Sequence, residues 1–495
     1  MSKKEFWLLL FILVAAAFLR LYRIADYMTF LGDEGRDVLV VKKIIVDHKF
    51  TLLGPTASVG GFFLGPVYYY LMIPFLWAFR LNPVGPAVMV ALFGIATVFL
   101  VYKVGKDFFS KEVGLLSASL FSISPVVIAY SRSSWNPNLM PFFSLLIIWL
   151  TWRTVSEKKP EYLIGVGFLL GVAIQLHYLT VFLMAVVAVY LFLFFRRLRY
   201  VKHYLGLIGG IILGWSPFLL FEVRHGFPNF RTLYKFIFFS EETGFLAGRF
   251  FPIIFDVLPR LFSRLVANNQ RNLSLGLLFV SLFFLVTFIK KERAKSKRLA
   301  GLLSLFWLVI GVGLFGFYQK GIYDYYFGFM FPLPFFLTSL ALTKIAQNRR
   351  LGFFLAFIIG IYLVALNLKA IPFRYPPNRQ LNQAREAARF VLDKAGDKPF
   401  NFALITGHNS DHAYRYFFEI WGNPPIIIEN PQVDPERKTV TEQLFVICET
   451  TCSPEGHPLW EVAGFGRAQI SNRWQVSVLE IYELRHYLEN SERGE

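Results

Sequence analysis

Apolar stretches of about 20 residues, the length that crosses a bilayer, recur along most of this chain. They give way to a mixed pattern only near residue 370. The candidate segments are 6–24, 64–80, 85–103, 113–130, 138–153, 161–176, 179–195, 204–222, 273–289, 299–317, 325–343 and 351–368. Short basic clusters separate them: Lys103/Lys106/Lys111, Arg153/Lys158/Lys159, Arg196-Arg197-Leu198-Arg199 with Lys202, Lys290–Arg298, and Lys344/Arg349/Arg350. From residue 103 onward every second loop is basic. Basic loops stay on the cytoplasmic side, so the alternation fixes an orientation. Lys3 and Lys4 put the N-terminus on the same side, and residues 26–60 and the region near 82 then fall outside. Segment 64–80 therefore begins and ends on one face. Pro66 and Pro74 suit an interrupted element that does not cross.

This pattern predicts a polytopic α-helical membrane protein with about eleven transmembrane helices. Its N-terminus is cytoplasmic, its C-terminus is external, and the membrane is the plasma (inner) membrane. Residues 1–370 form the membrane domain. Residues 371–495 form a small external α/β domain that aids acceptor binding and carries no catalytic residue. In that tail, 380–394 reads as a helix with Ala384, Ala387, Ala388 and Val391 on one face. Phe400–Ile405, Pro425–Ile428, Leu444–Cys448 and Val476–Tyr482 read as strands. Met1 to Arg23 reads as a first span, not a cleaved leader, because arginines follow the apolar run where a small-residue cleavage site would stand.

Composition sharpens the picture. The chain has 495 residues, 55% hydrophobic and 17% charged, against roughly 25% charged in soluble domains. Mean hydropathy is +0.49. The net charge, 51 − 33 = +18, would suggest nucleic acid in a soluble protein. Here it sits largely in short loops, where it acts as an orientation signal. Cys448 and Cys452 are too few for a disulfide framework and show no zinc-ligand spacing; on an external face either a disulfide or free thiols fit. No Walker motif, dinucleotide fingerprint, HExxH or GxSxG stands out, so nucleotide-driven transport and common hydrolase chemistry lose support.

The first external loop carries Leu31-Gly32-Asp33-Glu34-Gly35-Arg36-Asp37. A carboxylate at the membrane boundary is partly desolvated, which makes it a better base; capping of the next helix is the structural alternative. Val38 to Val46 has apolar residues at 38, 41 and 45 beside Lys42 and Lys43, the pattern of an amphipathic interfacial helix. The second loop, Tyr130-Ser131-Arg132-Ser133-Ser134-Trp135-Asn136-Pro137-Asn138, offers Arg132, whose planar fork suits a phosphate; snorkelling to headgroups is the alternative. Gln175-Leu176-His177-Tyr178 forms a tight turn. Tyr318-Gln319-Lys320-Gly321-Ile322-Tyr323-Asp324-Tyr325-Tyr326 offers Lys320 and Tyr325 beside an aromatic belt. Glu222, Arg224 and His225 open the long loop 223–272.

Asp33-Glu34-Gly35-Arg36 in a first external loop resembles the C-type superfamily of polyprenyl-phosphate-sugar glycosyltransferases, nearest to the protein O-mannosyltransferases and the lipid A aminoarabinose transferases. Asp37 stands where some members carry Tyr. Phe62-Phe63-Leu64-Gly65-Pro66-Val67-Tyr68-Tyr69-Tyr70 matches the proline and aromatics of a later family segment but lacks its charged pair. Asn136 stands where the family usually has Asp. The resemblance covers the layout of residues 1–370. It implies Asp33 and Glu34 as catalytic residues, and Arg36, Arg132, Asn136, His177, Lys320 and Tyr325 as substrate-binding residues. The partners it implies are a polyprenyl-phosphate-linked sugar, membrane lipids and a hydroxyl acceptor, without nucleic acid. No resident cofactor is required, and a divalent metal is left open. The competing class is a polyprenyl-linked lipid transporter or flippase, which the absence of two similar halves disfavours. A surface-polysaccharide polymerase or ligase would share the chemistry and differ in acceptor.

Overall fold

The structure, a computed structural model, describes residues 2–57, 60–196 and 200–487. Arg197-Leu198-Arg199 of the basic run lie outside the described residues. The chain packs as two compact units. One comprises Met1–Ile24, Lys49–Phe75 and Gly85–Pro377, and the other Ala25–His48, Leu76–Val84 and Asn378–Glu495. The single boundary expected near residue 370 is thus joined by divisions inside the first loop, whose residues 25–48 pack with the tail.

The first unit is a helical bundle. Among the described residues five helices are long and apolar enough to cross a membrane: Val84–Phe108, Asn136–Ser156, Arg271–Lys291, Lys295–Phe317 and Arg349–Leu368. Two further pairs pass only together and are bent. Val201–Gly214 meets Ser216–His225 at 74°, and Asp324–Met330 meets Pro332–Ala346 at 63°. The straight segments expected at 204–222 and 325–343 are therefore broken. Pro217 opens a new helix in the first, and a 3-10 turn precedes Pro332 in the second. Length and composition thus single out up to seven spans, against about eleven expected. Tyr162–Leu176 and Thr180–Phe195 are apolar but shorter. Val67–Ala78, with Pro74 inside it, has 12 residues, about 18 Å of helix.

Small residues let two of these helices touch. Gly167 and Gly171 on Tyr162–Leu176 face Gly210 and Gly214 on Val201–Gly214. A Cβ on any of the four would fall 2.0–2.4 Å from a carbonyl oxygen of the opposite helix. This is the small-xxx-small spacing that brings helix backbones together where lipid provides no hydrophobic drive. Gln175 closes the contact, donating Nε2–H to the carbonyls of Gly171 at 2.9 Å and Gly214 at 2.6 Å.

The second unit is built on a four-stranded sheet ordered β1-β2-β4-β3. β1 (Asn401–Ile405) and β2 (Gln443–Cys448) are parallel, and β4 (Leu479–His486) is antiparallel to both β2 and β3 (Ala468–Val476). β1 and β2 are buried at every residue, as strands covered on both faces must be. Phe402 meets Phe418 of the helix His412–Ile420 at 5.0 Å on one face. Val446, Phe465 and Leu484 form a core on the other. The helix expected at 380–394 is present as Gln380–Ala395. The strand expected at 425–428 is irregular chain, because Pro424 and Pro425 withhold N–H donors. The strand expected at 476–482 is the two arms of a hairpin, turned at Ser477, whose φ is 56°. Cys448 and Cys452 are disulfide-bonded.

Candidate functional site

In the sheet unit, Asp33 and Glu34 lie in the first turn of the helix Gly32–Val46. The apolar face of this helix is Val38, Val41 and Ile44, all buried, and it packs on the helix His412–Ile420. Expected as an interfacial helix, it buries that face in protein, with Ile44 taking the place foreseen for Ile45. Glycines make the approach close. A Cβ at Gly35 would sit 2.3 Å from the backbone nitrogen of Ala413, and one at Gly32 would sit 2.0 Å from Ser410 Oγ.

The two carboxylates have opposite environments. The Asp33 side chain is 53% exposed and accepts from Arg36 Nη1 at 2.8 Å. The desolvation expected of Asp33 is therefore not found there; Glu34 has it. Glu34 is buried and turns back to accept the Leu31 N–H at 3.0 Å. Arg36 is clamped on its other side by Asp37, fully buried, through Nε at 3.0 Å and Nη2 at 2.8 Å. The fork of Arg36 thus joins a buried carboxylate to an accessible one and fixes the direction of Asp33.

Burial pushes the Glu34 carboxyl up to about 7, with Asp33 and Asp37 adding to the rise against hydrogen bonds from the backbone. A raised acid binds its proton more tightly when folded. Its stabilisation is complete below the unfolded value near 4.5 and is lost as pH rises through about 7. The difference is worth about 3 kcal/mol. Thermal unfolding in detergent should show stability declining between these pH values, and Glu34→Gln should flatten that decline. Parallel profiles for both proteins would contradict this account of Glu34.

The tail supplies side chains that sequence reasoning missed. Ser410 Oγ lies 2.8 Å from His412 Nδ1. Burial holds His412 below its ordinary value, with Arg36 and Arg415 acting the same way and Asp411 and Asp33 opposing. Nothing local in the sequence ties these residues to a loop some 377 positions earlier, the separation of the Gly32–Asn409 hydrogen bond.

The remaining expected residues lie in the helical unit. Arg132 is 1% exposed and donates to the carbonyls of Leu19 at 2.9 Å and Tyr22 at 2.7 Å, with its guanidinium 4.9 Å from the Phe373 ring. Asn136 is buried and donates to Leu176 O at 2.7 Å. Both therefore tie loops to helix ends. His177 is buried, accepts the Leu179 N–H at 3.2 Å, and is pushed down to about 3 by burial, so it is neutral at pH 7. Tyr325 packs against Trp135 at 4.5 Å and His177 at 5.8 Å. Lys320 is half exposed and pairs with Glu242 at 3.0 Å. Glu222 is buried and caps the helix Pro228–Phe239 by accepting from Asn229 and Phe230; Arg224 and His225 are exposed.

Two cavities in this unit have contrasting linings. One, of about 520 Å³, is lined by Phe62, Phe63, Ile174, Tyr178, Phe182, Trp215, Phe218, Phe317 and Tyr318. The other, of about 580 Å³, is lined by Asp256, Arg260, Ser263, Arg264, Asn269, Arg271 and Ser274. The segment 317–324 touches residues of both. Its start lines the apolar cavity, while Ile322 O accepts from Arg260 at 2.9 Å and Asp324 from Arg264 at 2.5 Å. The arginines were hidden in the sequence because they sit on Ala247–Leu265 and at the start of Arg271–Lys291, where they look like helix-end charges. Among the described residues, no three His, Cys, Asp or Glu side chains gather as a metal set.

A family model described as dolichyl-phosphate-mannose-protein mannosyltransferase matches residues 65–221. Two Bacillus subtilis (strain 168) proteins provisionally named mannosyltransferases are similar. YycA is 24% identical over 217 residues, 42% of this chain and 31% of that protein. YkcB is 27% identical over 167 residues, 33% of this chain and 23% of that protein. The matches thus span about a third and a quarter of those relatives. Among solved structures, ArnT from Cupriavidus metallidurans bound to undecaprenyl phosphate superposes with a TM-score of 0.64 at 12% identity, covering 98% of both chains. The oligosaccharyltransferase AglB from Archaeoglobus fulgidus gives 0.53 at 11% identity, covering 90% of this chain and 69% of that one. The fold is the one these solved structures share. The chain is a polytopic membrane protein.

Proposed function

We propose that this protein transfers a sugar from a polyprenyl-phosphate carrier to a hydroxyl acceptor on the external face of the plasma membrane, with inversion at the anomeric carbon. The observation that carries the reading is a pair of cavities in the helical unit, one apolar and one lined by arginines. A phosphate with a long isoprenoid tail is an amphiphile, and cavities of these two kinds suit its two ends. The fold supports the same donor class, since ArnT is described bound to undecaprenyl phosphate and AglB in complex with a dolichol-phosphate.

In this mechanism Asp33 accepts the proton of the acceptor hydroxyl as its oxygen attacks the anomeric carbon. The bond between that carbon and the phosphate oxygen breaks. The electron pair leaves with the carrier, which becomes a phosphate monoester. Cations stabilise the growing charge; Arg260, Arg264 and Arg271, which line one cavity, are the candidates for this role, with Lys320 a further one. Arg36 directs Asp33. Tyr325, packed on Trp135 and His177, offers an aromatic face and a hydroxyl to the sugar. Arg132 and Asn136 act by holding the second loop, and Glu34 by closing the first turn of its helix.

The test is incubation of the purified protein with a panel of polyprenyl-phosphate sugars, followed by mass spectrometry of the lipid. Appearance of the carrier monoester, with the sugar released or transferred, is expected for at least one donor. Intact donor moved across a vesicle bilayer without bond cleavage would instead identify a lipid transporter.

A further inference from the structure

The helix that carries Asp33 starts without a cap of its own. Its N-cap residue is Leu31, which has no side-chain acceptor, where Ser, Thr, Asp or Asn is usual. The first N–H groups of a helix have no partners within it. Here side chains meet two N–H groups at the helix start, one from the helix's own first turn and one from the tail. Glu34 accepts the Leu31 N–H, and Asn409 Oδ1, from the tail, accepts the Gly32 N–H at 2.8 Å. Gly32 immediately precedes Asp33.

Asn409 is itself held at both ends. Its Oδ1 also accepts the Ser410 N–H at 2.8 Å, and its Nδ2 donates to Glu449 Oε1 at 2.8 Å. Glu449 accepts further from Tyr414 OH at 2.9 Å and from Thr406 Oγ1 at 2.7 Å. Its own N–H donates to Ile405 O at 3.1 Å, which extends the β1–β2 pairing by one residue. Glu449 also lies inside the short loop closed by the Cys448–Cys452 disulfide. A continuous chain of hydrogen bonds therefore runs from the end of the β1–β2 pair, through Glu449 and Asn409, to the backbone beside Asp33.

We propose that Asn409 and Glu449 are positioning residues for Asp33, fixing the first turn of its helix so that its carboxylate meets the acceptor hydroxyl. The inference rests on Asp33 being the base. A displacement of about 1 Å at a reacting group costs about 10²-fold, and loss of the cap leaves the first turn free to shift by that much. Asn409→Leu removes all three side-chain hydrogen bonds, to Gly32, Ser410 and Glu449, at similar size. It should lower kcat about 10- to 100-fold while the donor KM stays within about threefold, since donor binding is not altered. Amide exchange of the peptide spanning residues 30–37 should rise in the same variant.

A reciprocal exchange separates positioning from general damage. Asn409→Asp sets a carboxylate against Glu449 and should lower kcat comparably. Adding Glu449→Gln restores a donor, because the new amide can give its N–H to Asp while Asp still accepts from Gly32. The double variant should recover kcat to within about threefold of the starting protein, a coupling that independent sites do not show. Failure of the double variant to recover, or an Asn409→Leu protein with unchanged kcat, would overturn the inference, provided Asp33→Asn is inactive. If Asp33→Asn is itself active, the base assignment fails first; increased exchange at residues 30–37 in Asn409→Leu would then show the cap at work without the catalytic role.

Discussion

Asp33→Asn should lower sugar transfer by about 10²–10⁴-fold, the range that an aligned general base contributes, while the protein folds and binds donor as before. The substitution separates the two roles open to this residue. Asn caps a helix about as well as Asp, and it keeps an oxygen for the bond from Arg36 Nη1 to Asp33 Oδ1. It does not accept a proton from a hydroxyl. A residue that only stabilises its helix would therefore tolerate the change. The exposure of Asp33 points the same way, since a carboxylate that is 53% accessible can reach a substrate and Glu34, turned inward, cannot. Glu34→Gln is the internal control: its carboxyl serves Leu31 N–H, so transfer at pH 7 should fall far less than in Asp33→Asn. Near-normal transfer by Asp33→Asn would remove Asp33 from the mechanism.

Removal of residues 378–495 should abolish donor hydrolysis as completely as transfer to acceptor. A tail that helps bind acceptor and holds no catalytic residue would, on removal, impair transfer to the acceptor more than it slows hydrolysis of the donor. The packing of the sheet unit argues otherwise. Without the tail, Val38, Val41 and Ile44 lose the helix His412–Ile420 that covers them. Phe30 loses the Gln380 side chain that accepts its N–H at 3.2 Å, and Gly32 loses Asn409. An apolar helix face stripped of its partner does not stay in place, at about 1.5–3 kcal/mol per large side chain exposed. The measurement is the rate of carrier-monoester release without acceptor, compared between full-length and truncated protein in the same detergent. A truncated protein that hydrolyses donor at the full rate would mean that Asp33 is positioned without the tail.

Much of the helical unit was legible because length and apolarity alone define a span. Val84–Phe108 and Arg349–Leu368 stand close to where the hydropathy pattern puts them. Bends were less legible. Nothing in the apolar run 204–222 marks the break at Trp215 except Ser216-Pro217, a pair that also occurs within continuous helices. In the tail, β1 and β2 were readable as short apolar runs. β3 was not, since its residues are largely exposed and its turn uses Ser477 where Gly or Asn would have signalled a hairpin. The site divides along the same line. Asp33-Glu34-Gly35-Arg36 is contiguous and visible as a motif. The parts that hold it, Asn409, Ser410, His412 and Glu449, are ordinary polar residues in a loop and at a strand end. Only the packing of the tail against the first loop gives them meaning. Arg132 looked available for phosphate because loop arginines usually are; its carbonyl partners come from the end of the first helix, which spacing along the chain does not reveal.

The proposed reaction cleaves the bond between the sugar and the carrier phosphate by an attacking oxygen. Its most direct test is hydrolysis of a polyprenyl-phosphate sugar by the purified protein in water enriched in oxygen-18, with mass spectrometry of both products. Label is expected on the anomeric carbon of the sugar, which is released with inverted configuration, and none in the carrier monoester. Label in the phosphate, or a donor recovered intact, would contradict it.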